Sequence, residues 1–262
     1  MLLARLRRVP SRSARASRTS TAVAIAAVLC TRSPAGDAES AAAARWLTEA
    51  ERARADSISD PGDRRDYLAA HVLVRVVAGR LSGTDPAEVR IVQRCPRCGG
   101  SHGRPGVDGQ PGLAVSFGHS RGAVIAAAAA GIVGADIESL RRPVIDLALA
   151  EGALTGHERR AVRAAADPQR AFLRQWTRKE AAVKAGLGSL RDLAGLELGH
   201  LAVSGGADET PAVAPLGDAW PGLRVTDQID EQNEVAFAVI SADPVELIEA
   251  NGAFPDLIRS LV

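Results

Sequence analysis

A repeated segment constrains the fold of this chain more than any other feature of its sequence. Six residues recur with the same identity 107 positions later. They are Leu47, Thr48, Glu51, Arg52, Asp60 and Pro61, followed by Leu154, Thr155, Glu158, Arg159, Asp167 and Pro168. Each Asp-Pro pair is typical of a helix start, because Asp accepts from unpaired backbone N–H groups and Pro tolerates the first helical position. The repeat therefore predicts two similar halves, each with a long helix.

The apolar residues around the repeat predict an α/β (α+β) fold. Three apolar residues share one face of each predicted helix: Leu68, Val72 and Val76 in the first half, and Leu173, Trp176 and Val183 in the second. Strands are predicted at residues 22–29, 89–92, 113–117, 124–129, 132–138, 223–226 and 235–240. Two similar α/β halves indicate a pseudo-twofold arrangement, and we expect the active site in the cleft between them.

Domain boundaries follow from this repeat and from the chain length of 262 residues, which suits one large domain or two small ones. We expect residues 1–20 to be a disordered Arg-rich extension and residues 21–120 to form the N-terminal half. Residues 121–245 would form the C-terminal half and carry the chemistry. Within it, residues 204–217 are expected to be a loop, and residues 246–262 a peripheral helix or tail.

The charge distribution argues against a nucleic-acid-binding protein. The net charge is +1, yet residues 1–20 contain six arginines and no acidic residue, so the rest of the chain is mildly acidic. Nucleic-acid-binding domains usually present a basic face. No apolar run is long enough to span a membrane, and three cysteines are too few for a disulfide framework. We expect a cytoplasmic monomer without nucleic-acid or membrane partners; the alternative is that the Arg-rich start and residues 22–30 form a secretory signal.

Two acidic residues lie at the end of one predicted strand, in the sequence Gly-Ala-Asp-Ile-Glu at residues 134–138. Because strand side chains alternate, Asp136 and Glu138 project to the same side. Such a pair suits magnesium, which takes a few carboxylate oxygens, keeps waters and shares substrate phosphates. By itself an acidic pair at a strand end is more often a solvated edge.

The second predicted long helix carries an acid and a lysine, in the sequence Trp-Thr-Arg-Lys-Glu-Ala-Ala-Val-Lys-Ala-Gly at residues 176–186. Glu180 and Lys184 are four residues apart and share a helix face with Trp176. A helix-surface ion pair, which contributes about 0.3–0.5 kcal/mol, would explain the spacing without any function.

The two lysines of the chain both lie on this helix. They are Lys179 and Lys184, among 32 basic residues of which all the others are arginine. This placement indicates that a compact ammonium group is needed there, where a guanidinium would not serve. In the first half, the positions that correspond to Trp176, Glu180 and Lys184 are His71, Arg75 and Gly79, so the acid and the lysine are particular to the second copy.

A polar turn follows one of the central strands, in the sequence Ser-Phe-Gly-His-Ser-Arg-Gly at residues 116–122. His119 and the exposed backbone donors of such a turn are suited to holding a phosphate. The alternative is a histidine that hydrogen-bonds to its neighbours within the turn.

Cys95, Cys98 and His102 have the spacing of half a zinc site. A complete site needs four ligands, and no second Cys-x-x-Cys is present in the sequence. A structural turn is therefore the favoured interpretation of this segment.

Taken together, these segments resemble the 4′-phosphopantetheinyl transferase superfamily. Its strand motif G-x-D-x-E matches residues 134–138, and its helix motif W-[ST]-x-K-E-x-x-x-K matches residues 176–184. Residues 103–105, Gly-Arg-Pro, match the G-[KR]-P segment that precedes the histidine turn of the family. The resemblance covers roughly residues 21–240 and is closest to the long single-chain type, which activates carrier domains of polyketide and nonribosomal peptide synthetases and folds as two similar α/β halves.

The resemblance implies roles for residues at matching positions. The implied metal ligands are Asp136, Glu138 and Glu180, and the implied catalytic residues are Glu180 and Lys184. The implied or candidate coenzyme A contacts are Arg52, Arg54, Arg64, Arg104, Pro105, His119 and Lys184, of which Arg52, Arg54 and Arg64 are candidates for the ribose phosphate. Gly118 departs from the family, which commonly has Ser there, and this departure leaves any contact with coenzyme A to the backbone N–H.

The implied activity is that of a holo-[acyl-carrier-protein] synthase. Such an enzyme moves 4′-phosphopantetheine from coenzyme A, the co-substrate, to a serine hydroxyl of an apo acyl or peptidyl carrier protein and releases adenosine 3′,5′-bisphosphate. Mg²⁺ is the implied cofactor, since it neutralises charge that develops on phosphate oxygens. Glu180 would take the serine proton, and Lys184 would stabilise the departing oxygen.

Two other classes of function remain alternatives. The first is a non-catalytic module of the same fold that binds coenzyme A or a carrier domain; the intact acids and lysine argue against it. The second is a zinc-dependent nucleic-acid binder that uses Cys95, Cys98 and the Arg-rich start, which would show bound zinc and salt-sensitive affinity for DNA.

Overall fold

The computed structural model describes residues 23–30, 45–95, 98–100, 103–141, 151–198, 200–201 and 210–250. The extension predicted for residues 1–20 and residues 251–262 of the predicted tail lie outside these ranges. None of the described helices is long and apolar enough to cross a membrane.

Six strands form the first sheet. They are β1 (Ala24–Cys30), β2 (Ile91–Gln93), β3 (Pro105–Val107), β4 (Leu113–His119), β5 (Ala123–Ala130) and β10 (Val245–Ala250). Their order is β10-β1-β5-β4-β3-β2. All neighbours are antiparallel except β10, which pairs with β1 in parallel.

Four strands form the second sheet. They are β6 (Val133–Ser139), β7 (Ala212–Pro215), β8 (Arg224–Asp230) and β9 (Val235–Ser241), in the order β6-β9-β8-β7 and all antiparallel. The mixed α/β fold with two sheets confirms the predicted fold class.

The helices repeat the same cap chemistry in both halves, as the duplicated sequence predicts. They are α1 (Glu49–Asp56), α2 (Pro61–Ser82), α3 (Gly156–Ala164) and α4 (Pro168–Ala185), with short 3₁₀ helices at Glu151–Ala153 and Leu190–Gly195. The short helices α1 and α3 each begin with a Thr–Glu capping box, and the long helices α2 and α4 each begin with an Asp cap followed by Pro. Both long helices end at a left-handed glycine, Gly83 (φ 71) and Gly186 (φ 89).

The elements stack as helix, sheet, sheet and helix. One face of the first sheet packs on α2, and its other face packs on the second sheet, whose far face packs on α4. Side-chain alternation divides each strand between two cores. In β9, for example, Phe237 faces the first sheet whereas Ala238 faces α4.

Strand β5, which follows the predicted boundary at residue 120, belongs to the first sheet. Two expectations about secondary structure are wrong. Part of the predicted loop at residues 204–217 is strand β7, and the start of the predicted tail is strand β10. Both are edge strands with exposed or charged residues, so neither contains the run of apolar residues that predicts a strand.

Candidate active site

A glycine allows α4 to lie directly on β6. A Cβ atom built on Gly134 would lie 2.5 Å from the backbone N of Ala185 and closer still to the carbonyl oxygen of Ala181. No side chain fits in this space, so the first residue of the Gly-x-Asp-x-Glu sequence sets the distance between strand and helix. This close approach brings the acids of β6 beside the lysine of α4.

Asp136 projects from β6 toward α4 and is only 7% exposed. Its Oδ1 accepts a hydrogen bond from Lys184 Nζ at 2.6 Å. Its Oδ2 is buried and has no hydrogen-bond partner among the described residues. Desolvation raises the pKa of Asp136, an effect that Lys184 opposes and Glu138 reinforces. Of the two oxygens of this buried carboxylate, only one therefore has a hydrogen-bond partner among the described residues.

The other two acids lie close enough to Asp136 to interact with it. Glu138 accepts a hydrogen bond from Ser120 Oγ at 2.6 Å, which ties it to the turn after β4. Desolvation raises the pKa of Glu180, and the negative charges of Asp136 and Glu138 raise it further while Lys184 lowers it. Lys184 forms its ion pair with Asp136 across the strand–helix interface. The surface ion pair of Glu180 with Lys184, which was the alternative explanation of the helix spacing, is not formed.

These acids fit a divalent cation in their chemistry. Within the described ranges, no three His, Cys, Asp or Glu side chains are already arranged as a metal site. The Oδ2 of Asp136 is nevertheless unpartnered, and repulsion among the three acids adds to the desolvation that raises the pKa values of Asp136 and Glu180; a bound cation would relieve both features. Mg²⁺ takes only one or two carboxylates when substrate phosphates and waters supply its other ligands, so a complete protein cage is unnecessary.

A cleft of about 330 Å³ opens beside the Asp136–Lys184 pair. Its lining residues are Gln93, Gly103, Arg104, Pro105, Ser116, Phe117, Val183 and Lys184. Of the residues singled out from the sequence, Arg104, Pro105 and Lys184 thus share one cavity. Ser116 and Phe117 were part of the polar-turn sequence but were given no role. Ser116 Oγ accepts a hydrogen bond from the N–H of Ala135 at 2.9 Å and so joins β4 to β6.

His119 lies at the end of β4, beside a tight two-residue turn. Arg121 (φ 44) and Gly122 (φ 85) both adopt left-handed backbone, as a tight hairpin requires. The N–H of Gly122 donates to Asp66 Oδ2 at 2.7 Å, which fastens the turn to α2. Although His119 is exposed on one side, desolvation by the surrounding protein lowers its pKa, and Asp66 and Asp63 oppose this effect. The ring is outside the lining of the cleft.

The three candidate arginines of the first half are not brought to this cleft. Arg52, Arg54 and Arg64 are all exposed and bind locally, to the Leu47 carbonyl, to Ser57 Oγ at 3.3 Å and to Asp56 Oδ1 at 2.5 Å respectively. Behind the cleft, the ring of Tyr67 contacts His71, and His71 contacts Phe117, which lines the cleft.

Lys179 has a structural role, unlike Lys184. It is fully buried, forms an ion pair with Glu158 Oε2 at 2.7 Å and donates to the carbonyl oxygens of Leu193 at 2.7 Å and Leu196 at 2.8 Å. Three acceptors around one buried ammonium explain a lysine here, since an ammonium has three donors on a compact centre.

The matching ion pair of the first half corrects the alignment of the two helices. Arg75 binds Glu51 Oε2 at 2.7 Å, as Lys179 binds Glu158. Arg75 therefore corresponds to Lys179 rather than to Glu180, and the sequence comparison was displaced by one residue along the helix.

Cys95 follows β2 and lies close to Gly99, whose N–H donates to the Cys95 carbonyl oxygen at 2.8 Å. Cys95 is buried and Cys98 is exposed, and the N–H of Gly100 donates to Cys98 Sγ at 3.4 Å. The third residue of the half site, His102, lies outside the described residues. In the described part of the chain, no group of three ligands that includes Cys95 or Cys98 is arranged to hold a metal ion.

Comparison with known proteins bears on the second half of the chain. No curated protein matches the sequence significantly. Residues 132–239, which contain the Asp136 strand and the Lys184 helix, match the family model described as the 4′-phosphopantetheinyl transferase superfamily.

Proposed function

We propose that this protein transfers 4′-phosphopantetheine from coenzyme A to a serine hydroxyl of an apo carrier protein. We further propose that it is of the long single-chain type, acting on the carrier domains of polyketide or nonribosomal peptide synthetases. The observation that carries the proposal is the contact of Asp136 with Lys184, in a segment that matches the transferase superfamily and borders a cleft with Arg104.

The charges of the cleft suit the pyrophosphate of coenzyme A. Lys184 and Arg104 supply two cations to a space of about 330 Å³. Charge-assisted hydrogen bonds from ammonium and guanidinium groups are among the stronger contacts to phosphate oxygens. The ribose phosphate would lie toward His119 and the exposed Arg52, Arg54 and Arg64.

The reaction forms one bond to phosphorus and breaks another. The serine oxygen of the carrier attacks the phosphorus that bears the pantetheine arm, and the bond from that phosphorus to the oxygen of adenosine 3′,5′-bisphosphate breaks. Glu180 takes the serine proton, directly or through water. Lys184 stabilises the charge that develops on the departing oxygen.

Asp136, Glu138 and Glu180 would hold the magnesium ion. When bound, this ion neutralises charge on the phosphate oxygens. The protein contributes the half-satisfied carboxylate of Asp136 and the fixed orientation of Glu138 through Ser120.

Gly118 fits this arrangement although the related enzymes commonly have serine there. A Cβ atom built on Gly118 would lie 2.7 Å from Lys184 Nζ and 3.5 Å from Asp136 Oδ1. A glycine therefore leaves room for the lysine ammonium beside β4.

Mass spectrometry of apo carrier domains tests the proposal. Purified protein is incubated with coenzyme A, Mg²⁺ and either an apo acyl carrier or an apo peptidyl carrier domain. The expected result is a mass gain of one phosphopantetheine group, absent when the carrier serine is replaced by alanine. Binding of coenzyme A without any mass gain on either carrier would instead support the non-catalytic binding module.

A further inference from the structure

The guanidinium group of Arg104 rests against the end of α4, at Gly186. A Cβ atom built on Gly186 would lie 2.5 Å from Arg104 Nη1 and 2.6 Å from its Cζ. Non-bonded carbon atoms normally lie about 3.5–4.0 Å apart. Arg104 therefore occupies the space that a side chain at residue 186 would need.

The backbone on the other side of Arg104 is fixed. A Cβ atom on Gly103 would lie 2.7 Å from the backbone N of Cys95, so the chain before Arg104 packs against the end of β2 without a gap. Pro105 pairs with Gln93 in the β2–β3 ladder. Arg104 is exposed, and its guanidinium lies at the C-terminal end of α4, which favours a cation.

The two cations of the cleft differ in their partners. Lys184 is bound to Asp136, whereas Arg104 makes no hydrogen bond or ion pair with any residue in the described ranges. A guanidinium beside a cleft, with no anionic partner among the described residues, is available to an anionic ligand.

From these contacts we infer that Gly186 is a positioning residue, which seats Arg104 for contact with the phosphates of coenzyme A. The inference rests on the proposed function, and it adds that the position of Arg104 contributes to the affinity for coenzyme A. Gly186 also has φ 89, so its left-handed backbone is an independent reason for a glycine. The experiment has to separate these two reasons.

The chain provides a matched control in Gly83, the glycine that ends α2. It has the same left-handed conformation, φ 71, but a Cβ atom built on it meets nothing within 4 Å. Alanine at either position strains the backbone, whereas only Gly186→Ala displaces Arg104. Gly186→Asn and Gly83→Asn form a second pair with less backbone strain, because asparagine tolerates the left-handed region better than alanine does.

Calorimetric titration with coenzyme A and steady-state kinetics measure the effect. A shift of Arg104 by about 1 Å is expected to raise Kd and KM for coenzyme A about tenfold in Gly186→Ala and Gly186→Asn. The KM for the carrier should stay unchanged, and both Gly83 variants should bind coenzyme A within twofold of wild type. In an Arg104→Ala background, Gly186→Ala should cause no further loss of affinity.

The possible outcomes separate the inference from the proposed function. Wild-type protein that neither binds coenzyme A nor modifies a carrier refutes the proposed function. If wild type does both, equal affinities of the Gly186 and Gly83 variants for coenzyme A refute the positioning role. The role is also refuted if Gly186→Ala lowers the affinity for coenzyme A as much in the Arg104→Ala background as in wild type. Both Gly186 variants failing to fold while the Gly83 variants fold would also refute it, because the flexible arginine, and not the helix, should yield. A ligand-free crystal structure of Gly186→Ala with Arg104 unmoved would refute it regardless of activity.

Discussion

Replacing Lys184 by arginine tests whether its position or only its charge matters. Lys184 Nζ lies 2.6 Å from Asp136 Oδ1, and the backbone of β4 at Gly118 borders the ammonium closely. An arginine keeps the positive charge but carries a larger planar group. To avoid β4, the guanidinium has to leave the position that the ammonium occupies beside the reacting phosphate.

The expected loss appears in turnover and not in stability. A displacement of about 1 Å lowers turnover 10- to 100-fold, which corresponds to about 1.4–2.7 kcal/mol of transition-state stabilisation. The Lys184 side chain is 29% exposed and an arginine keeps a positive charge within reach of the buried Asp136, so we expect the free energy of unfolding to change by about 1 kcal/mol or less. For a chain of this size that corresponds to a change in Tm of about 4 °C or less.

Lys179→Arg is the matched control on the same helix. Lys179 is fully buried with three acceptors around its ammonium, so a guanidinium there overfills a closed site. Overpacking of this kind costs about 1–3 kcal/mol of folding free energy. We expect a lower Tm for Lys179→Arg but near-normal turnover for each folded molecule.

The assay combines turnover on an apo carrier with a thermal melt for wild type and both variants. Turnover of Lys184→Arg within twofold of wild type would refute the need for an ammonium at residue 184. A Lys179→Arg variant that melts like wild type and yet loses turnover would refute the structural role of Lys179.

Three further predictions follow from the same site and from the first half. Asp136→Asn should lower transfer at least 100-fold and remove its dependence on Mg²⁺, measured with and without a chelator; strong residual Mg²⁺-dependent transfer would contradict the metal assignment. Arg104→Ala should raise KM for coenzyme A about tenfold, whereas Arg80→Ala, which is paired with Glu246 outside the cleft, should change it less than twofold; equal effects would contradict the cleft as the coenzyme site. Burial alone would raise the pKa of Glu51, but its neighbours, His71 foremost, hold this pKa at about 2. The carboxylate therefore stabilises the fold above its unfolded pKa of about 4.5 and this stability is lost as pH falls toward 2, so Glu51→Gln should flatten the dependence of unfolding free energy on pH in that window, measured by denaturant melts.

Local chemistry made much of this fold predictable. The Thr–Glu and Asp-Pro sequences act within one helical turn, so they locate the helix starts in both halves without knowledge of the tertiary structure. The alternation of strand side chains likewise predicts that Asp136 and Glu138 share a face. Strand β10 was missed because its identity as a strand depends on pairing with β1, a contact between distant parts of the chain.

The sequence proposes candidate residues for the site, but their contacts depend on the tertiary structure. Helix spacing places Glu180 and Lys184 on one face but carries no information about β6, and the buried Asp136 is the partner that Lys184 takes. The three arginines of the first half are candidates only because arginine is a residue type that binds phosphate. Their local hydrogen bonds depend on side-chain positions, which the spacing of residues in the sequence does not predict.

The parallel pairing of β10 with β1 has a consequence for the order in which the protein folds. Ala24 pairs with Val245, so β1 and β10 are neighbours in the first sheet. In the sequence, however, the whole second sheet and α4 lie between these two strands. During synthesis, the first sheet cannot gain its last edge strand until almost the whole second half has left the ribosome. Contacts between such distant residues slow folding. The two halves, although duplicated, therefore complete their folding together, and neither can be cut away without removing a strand or a layer from the other.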